Sequence, residues 1–218
     1  MLICSLFVLV YITVGIDAHS QSISFIQDKC GLTPKKNVDW SQISSSDWYL
    51  SFKSSDEIFS KVVNCQVVKN ITNVLEGGVK FHFKNYYYSG SEPKEFGVAL
   101  FKTKETATYQ GIQDADHREA DSRVSSHVHD AAAAQEVESI ENGDTEIMVA
   151  TDYSTYIVCI DCNIFEGIKW IGVYTPTPYP SAKDLIDIRN ALIDLNAISP
   201  LNKSQCSDVK GAFDISTK

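Results

Sequence analysis

The chain has 218 residues, 11% of them aromatic, and six cysteines. Its formal charge is −9, which argues against nucleic acid and against anionic membrane surfaces as partners. Such a length suits one β-barrel or sandwich domain with a sizeable core.

Residues 1–18 open with an apolar run too short to span a bilayer comfortably, followed by Ile16-Asp17-Ala18, a plausible small-residue cleavage site. We read this as a signal peptide and residues 19–218 as one domain. Removal of the leader takes away Asp17 and leaves a charge of −8. No later apolar run is long enough to cross a membrane. A secreted, extracellular chain makes disulfides the default among Cys30, Cys65, Cys159, Cys162 and Cys206. Five is odd, so at least one thiol stays unpaired within a monomer. The sequons at Asn70 and Asn202 fit an exported surface, although each is also a common chance tripeptide.

Residues 30–46 are polar and irregular. Trp48 to Phe52 alternates as a first strand, with Trp48, Leu50 and Phe52 on one face. Residues 54–60 are polar, residues 62–68 form a second strand, and Gly77-Gly78 marks a turn. Residues 79–88 are aromatic and extended, and residues 96–101 return as the next strand. Short strands joined by turns at this spacing indicate an antiparallel meander, whose closure removes exposed edges.

Residues 105–141 differ in kind, being polar with a four-alanine run and three histidines. We expect an insertion at about 112–144 that loops out of the barrel. His127 and His129, with His117 and Asp121 nearby, share a face if extended and could bind a metal weakly, but a solvated loop is the preferred reading.

Strands resume at residues 145–149. Thr151-Asp152-Tyr153-Ser154-Thr155-Tyr156 is then a turn signal running into Ile157 to Cys162, with Tyr156, Val158 and Ile160 on one face and Ile157, Cys159 and Asp161 on the other. Cys159 and Cys162 therefore lie on opposite faces and cannot bond without breaking the strand. The remaining four cysteines allow three connectivities, and the sequence alone does not choose. A last strand covers residues 170–174. After three prolines, Ser181 with Asp184 three on starts a helix whose Leu185, Ile188, Leu192 and Leu195 recur at helical spacing, joined by Ile186 and Ile193.

The TDYxxY run followed by a cysteine, placed after Asp47-Trp48-Tyr49, resembles the paired signatures of the lipocalins. The resemblance implies an all-β, eight-stranded antiparallel up-and-down barrel, the lipocalin calyx, with one C-terminal α-helix on its wall. It also implies that Trp48 sits at the barrel floor and residues 30–46 close that end. Ser46 stands where the family has glycine, and Thr175-Pro176 where it has a basic residue. Within the family the chain is similar to the salivary lipocalins of blood-feeding triatomine bugs, the nitrophorin and triabin group. Carried over by position, their pattern implies Cys30–Cys162 and Cys65–Cys206, with Cys159 free.

The nitrophorin likeness implies haem b in the calyx, nitric oxide carried on its iron, and an anti-haemostatic or vasodilatory effect in saliva. His82, seventeen residues after Cys65 within Val79-Lys80-Phe81-His82-Phe83, is the implied axial ligand. Alternation opposes this, since His82 shares a face with Lys80 and Lys84 while Val79, Phe81 and Phe83 take the apolar one. A surface histidine is the plain alternative. Tyr49, Asp56, Phe81 and Tyr86 are the expected pocket residues; Asp56 and Glu57 at the mouth would pair with a cationic amine.

Two other functions stay open. One is haem-free scavenging of histamine or another amine, nucleotides or eicosanoids. The other is inhibition of a clotting protease by the outer surface, through the acidic insertion, as the triabin likeness implies. Catalysis is not expected: Cys159 has no identifiable base beside it, and a buried unreactive thiol is the commoner case. A monomer suffices for a calyx carrier.

Overall fold

The computed structural model describes residues 29–43, 46–54, 63–74, 77–113, 145–163, 167–209 and 212. The leader, the mouth segment with Asp56 and Glu57, and the insertion with its histidines lie outside the described residues.

Among the described residues nine strands form one antiparallel sheet: β1 (Trp48–Ser54), β2 (Val63–Asn73), β3 (Val79–Tyr87), β4 (Lys94–Lys102), β5 (Thr108–Gln113), β6 (Thr145–Thr151), β7 (Ile157–Asn163), β8 (Gly167–Thr175) and β9 (Leu201–Lys203). Each of β2 to β7 pairs with the next in sequence, β8 pairs with β1, and β1 pairs back to β2. This closes an eight-stranded up-and-down barrel, the expected fold class. The short β9 adds to the far half of β1, against Phe52, Lys53 and Ser54. Thr108–Gln113, which the polar character of residues 105–141 had hidden, is the fifth barrel strand. It places Tyr109 opposite Ile147.

One end of the barrel is shut. Val38, Trp40 and Ile43 of the lead-in are buried in the same apolar cluster as Trp48, Leu50 and Tyr109. The Trp40 and Tyr109 rings meet edge to face at 5.4 Å, and the Val38 amide donates to the Tyr109 hydroxyl at 3.3 Å. The turn of the Thr-Asp-Tyr motif lies at this end as well, its Tyr153 hydroxyl accepting from the Asp39 amide. Burial raises the Asp152 carboxyl, but the amides of Thr155, Ser154 and Tyr156 more than offset this and hold it below the usual carboxylate range. That network is the physical content of the motif: one carboxylate closes the turn between β6 and β7.

The helix α1 (Ala182–Asp194) begins at Ser181 with the expected capping box to Asp184. It packs outside the barrel through Ile188 and Leu195, with Leu192 half-buried, against Val158, Ile160, Ile171 and Val173. Leu185, Ile186 and Ile193, expected to join the packed stripe, instead remain exposed. A helix lying on a convex wall touches it over a narrow strip, so apolar residues beyond that strip face water.

Both expected disulfides are present. Cys30–Cys162 ties the lead-in to β7 across 132 residues, and Cys65–Cys206 ties β2 to the segment after β9 across 141. Cys159 is the free cysteine among the described residues.

Candidate functional site

Strand alternation divides every wall residue between the lumen and the outside, and two clusters show which is which. Phe81, Val98, Leu100, Tyr109, Val149, Ile157 and Tyr174 belong to the lead-in's cluster and, by strand register from Leu50, face the lumen, whereas Tyr49, Cys65 and Tyr86 of the same cluster lie on the outer face by Cys206. Val158, Ile160, Cys162, Ile171 and Val173 belong to the cluster under α1 and face outward. On β7 the lumen therefore receives Ile157, Cys159 and Asp161.

Burial changes along the lumen. At the closed end Trp48, Leu50 and Tyr109 are almost wholly inaccessible. Toward the other end Phe83, Phe96, Cys159, Asp161 and Trp170 are only partly buried. β1 and β7 both start at the closed end, because each is antiparallel to β8. Their last residues consequently lie at the mouth of the barrel.

The mouth half of the wall carries a compact set of unlike groups. Asp161 stands directly across from Trp170. The next inward-facing residue on β8 is Gly172, whose position decides how Trp170 lies. A Cβ there would come within 2.0 Å of the indole Cη2, so the ring is folded flat along the wall over the glycine. With any other residue at 172 the indole would have to swing into the lumen. One step deeper, Tyr174 donates to Gln66 Oε1, and Gln66 donates in turn to Asn85 at 2.8 Å. The Phe83 ring packs near Tyr174 and Phe96.

Lys53 also faces the lumen, against the simple alternation of β1. The pairing of β1 with β8 shifts between Leu50 and Phe52, with Leu50 opposite Tyr174 and Phe52 opposite Val173. Ser51 is the extra residue of this bulge, its hydroxyl hydrogen-bonded to Thr175 Oγ1. Phe52 thus joins the cluster under α1, and Lys53, opposite Gly172, takes the inner face. Lys53 is 2% exposed and donates to the Val63 carbonyl at 2.6 Å. Its Nζ also sits 5.5 Å from the centre of the Tyr88 ring.

The expected site residues fall on both sides of the wall. Phe81 lines the lumen. Tyr49 pairs with Val67, and Tyr86 with Cys65, on the outer face beneath the segment held by Cys206. Tyr86 lies beside the Lys84 ammonium, which is itself bridged to Glu95 at 2.9 Å. The structure thus takes Tyr49 and Tyr86 out of the pocket because the register of β1 and β3 turns them away from it. His82 is also on the outer face. It stands between Lys69 and Gly97 in the ladder, while its neighbours Phe81 and Phe83 take the lumen. It is the only histidine among the described residues, and the strand register sets it on the face opposite to Phe81 and Phe83. The periodicity argument held over the positional likeness.

Cys159 faces the lumen, and burial pushes its thiol up to about 12. It is neutral at physiological pH and not a nucleophile. Asn70 and Asn202 are both exposed, Asn70 at a left-handed backbone position with φ 53° and Asn202 on β9. Asp161 and Lys53 were not expected on the lumen wall. The signal for Asp161 was present, an acid on the same strand face as Ile157 and Cys159. For Lys53 there was none, since nothing in the sequence marks the bulge.

No protein-family model and no curated protein sequence matches this chain. Solved structures do match in fold. The tryptamine complex of the amine-binding protein of Rhodnius prolixus superposes with a TM-score of 0.54 at 15% identity, covering 85% of this chain and 91% of that one. A biogenic amine-binding protein gives 0.53 at 15% identity, covering 84% and 90%. The cockroach allergen Per a 4 gives 0.52 at 14% identity, covering 84% and 99%. The closed eight-stranded barrel with a helix flanking its wall is the lipocalin fold. Within it the chain resembles the triatomine salivary lipocalins, as the Thr-Asp-Tyr and cysteine pattern implied.

Proposed function

We propose that this protein is a secreted carrier that holds a small aromatic amine in its calyx. The observation that carries the reading is Asp161 on the lumen wall beside Trp170, whose ring is laid flat over Gly172. A carboxylate at a half-dry mouth supplies the counter-charge that an ammonium needs on leaving water, and the indole face adds cation–π and stacking contacts. The proteins of similar fold that bind biogenic amines are compatible with this reading. Haem carriage finds no supporting residue in β3, since His82 lies outside the barrel. Protease inhibition through the acidic insertion has no described residue behind it.

Calorimetric titration with serotonin, alongside a spectroscopic titration with hemin, tests the proposal. Saturable serotonin binding that weakens about 10–100-fold in Asp161→Asn is expected, the loss of one charge-assisted hydrogen bond. A hemin Soret band in the wild type, abolished by His82→Ala and without serotonin binding, would return the assignment to haem.

A further inference from the structure

Asn85 stands across the barrel from Asp161. β3 and β7 lie four strands apart in the ring of eight, and the four antiparallel pairings between them make both run toward the mouth. Asn85 is two residues short of the end of β3 at Tyr87, and Asp161 two short of the end of β7 at Asn163, so both belong to the mouth half of the wall. Alternation with Phe81 and Phe83 turns Asn85 to the lumen, where it is 2% exposed. The interior of an eight-stranded barrel is wide enough for one small ligand, so a guest held at Asp161 presents its far end to the β3 side.

The hydrogen bonds decide which atom of Asn85 meets that guest. Tyr174 donates to Gln66 Oε1, and the Gln66 amide nitrogen donates in turn to Asn85 Oδ1 at 2.8 Å. The Asn85 carbonyl is thus engaged toward β2, and its planar amide turns the Nδ2 donor away from that strand. Among the described residues this is the one hydrogen bond of the Asn85 side chain. A buried amide donor without an acceptor is costly, and the neighbouring Phe81 and Phe83 rings offer it no oxygen.

We infer that Asn85 sets the specificity of the calyx, its Nδ2 donating to the ring hydroxyl oxygen of a hydroxylated aromatic amine whose ammonium lies at Asp161. This rests on the amine reading above and adds the second end of the ligand. A phenolic oxygen accepts from the amide and closes the chain of bonds from Tyr174. An aromatic amine without the hydroxyl fills the same space but leaves the buried donor unanswered, and a site of that kind rejects the lesser analogue more strongly than an apolar pocket does.

Serotonin and tryptamine form a matched pair that differs only in the ring hydroxyl. Calorimetry on the full secreted chain should show serotonin binding about tenfold or more tighter than tryptamine. In Asn85→Leu, close to asparagine in size, that ratio should collapse to about one while tryptamine affinity holds, and Asn85→Ala gives the same reading should the leucine variant not fold. A preference for serotonin that survives in the Asn85 variants overturns the assignment to Asn85. If tryptamine binds the wild type as tightly as serotonin, the hydroxyl subsite is overturned and the amine carrier stands. If neither binds, the amine reading itself fails and takes this inference with it.

Discussion

Along β7 and β8, Val158, Ile160, Ile171 and Val173 lie against α1 with essentially no exposed surface, while the alternate residues Cys159, Asp161 and Trp170 face the lumen and stay partly open. The same two strands thus present two walls of different chemistry. The outer wall is aliphatic and anchored by Cys162 to the lead-in. The inner wall toward the mouth mixes an acid, an indole, a thiol and a neighbouring lysine, a poor composition for packing and a good one for recognising a guest. Stability is concentrated on one side of the sheet and the proposed binding on the other, so substitutions on the two sides should separate the two properties.

The sharpest separation comes from the outer wall. Replacing Cys30 and Cys162 together by alanine opens a crosslink spanning 132 residues, worth roughly 4–5 kcal/mol in the loop-entropy treatment. Chemical denaturation should show that loss, while serotonin affinity measured well below the transition stays within about threefold, because neither cysteine reaches the lumen. An equal loss of binding would show that the outer wall shapes the site after all.

Gly172→Val should do the reverse. The new side chain displaces the Trp170 ring from the wall into the lumen, and overpacking of this sort costs about 1–3 kcal/mol. Ligand binding should fall below detection while the circular dichroism spectrum still reports a barrel. A variant that binds normally would mean the indole has another resting place.

The smallest effect is expected at Glu146, whose carboxyl is lifted to about 7 by burial and by the charge of Glu105. Its Oε2 is buried without a hydrogen-bond partner among the described residues. Since the folded-state value exceeds the ordinary glutamate value of 4.5, the folded chain holds this proton more tightly than the unfolded one. The stability that the neutral acid contributes is complete below 4.5 and is lost as pH rises through 7. Thermal melts of Glu146→Gln should show a gain of about 1 kcal/mol at pH 8, after allowance for solvent screening, and none at pH 4.

Much of the fold was legible because it depends on local pattern. The Thr-Asp-Tyr turn is legible because Asp152 closes it with its own carboxylate, a contact within five residues. The helix start is legible for the same reason, Ser181 and Asp184 capping each other. The cysteine pairing came through resemblance and matches the structure at both bonds. β5 was lost because Thr108–Gln113 has a single large apolar inward residue, Tyr109, set in polar surroundings.

By itself the sequence determined most of the barrel strands, though not β5 or the short β9, where the chain turns, and that His82 opposes Phe81 and Phe83, since each follows from side-chain alternation or a short-range hydrogen bond. Only the tertiary structure decided which of the two faces is the lumen and which residues share it. Closure of the barrel and the docking of α1 choose the face, and one extra residue at Ser51 reverses the choice for Phe52 and Lys53. A bulge is set by how two distant strands pair, and no spacing within β1 records it.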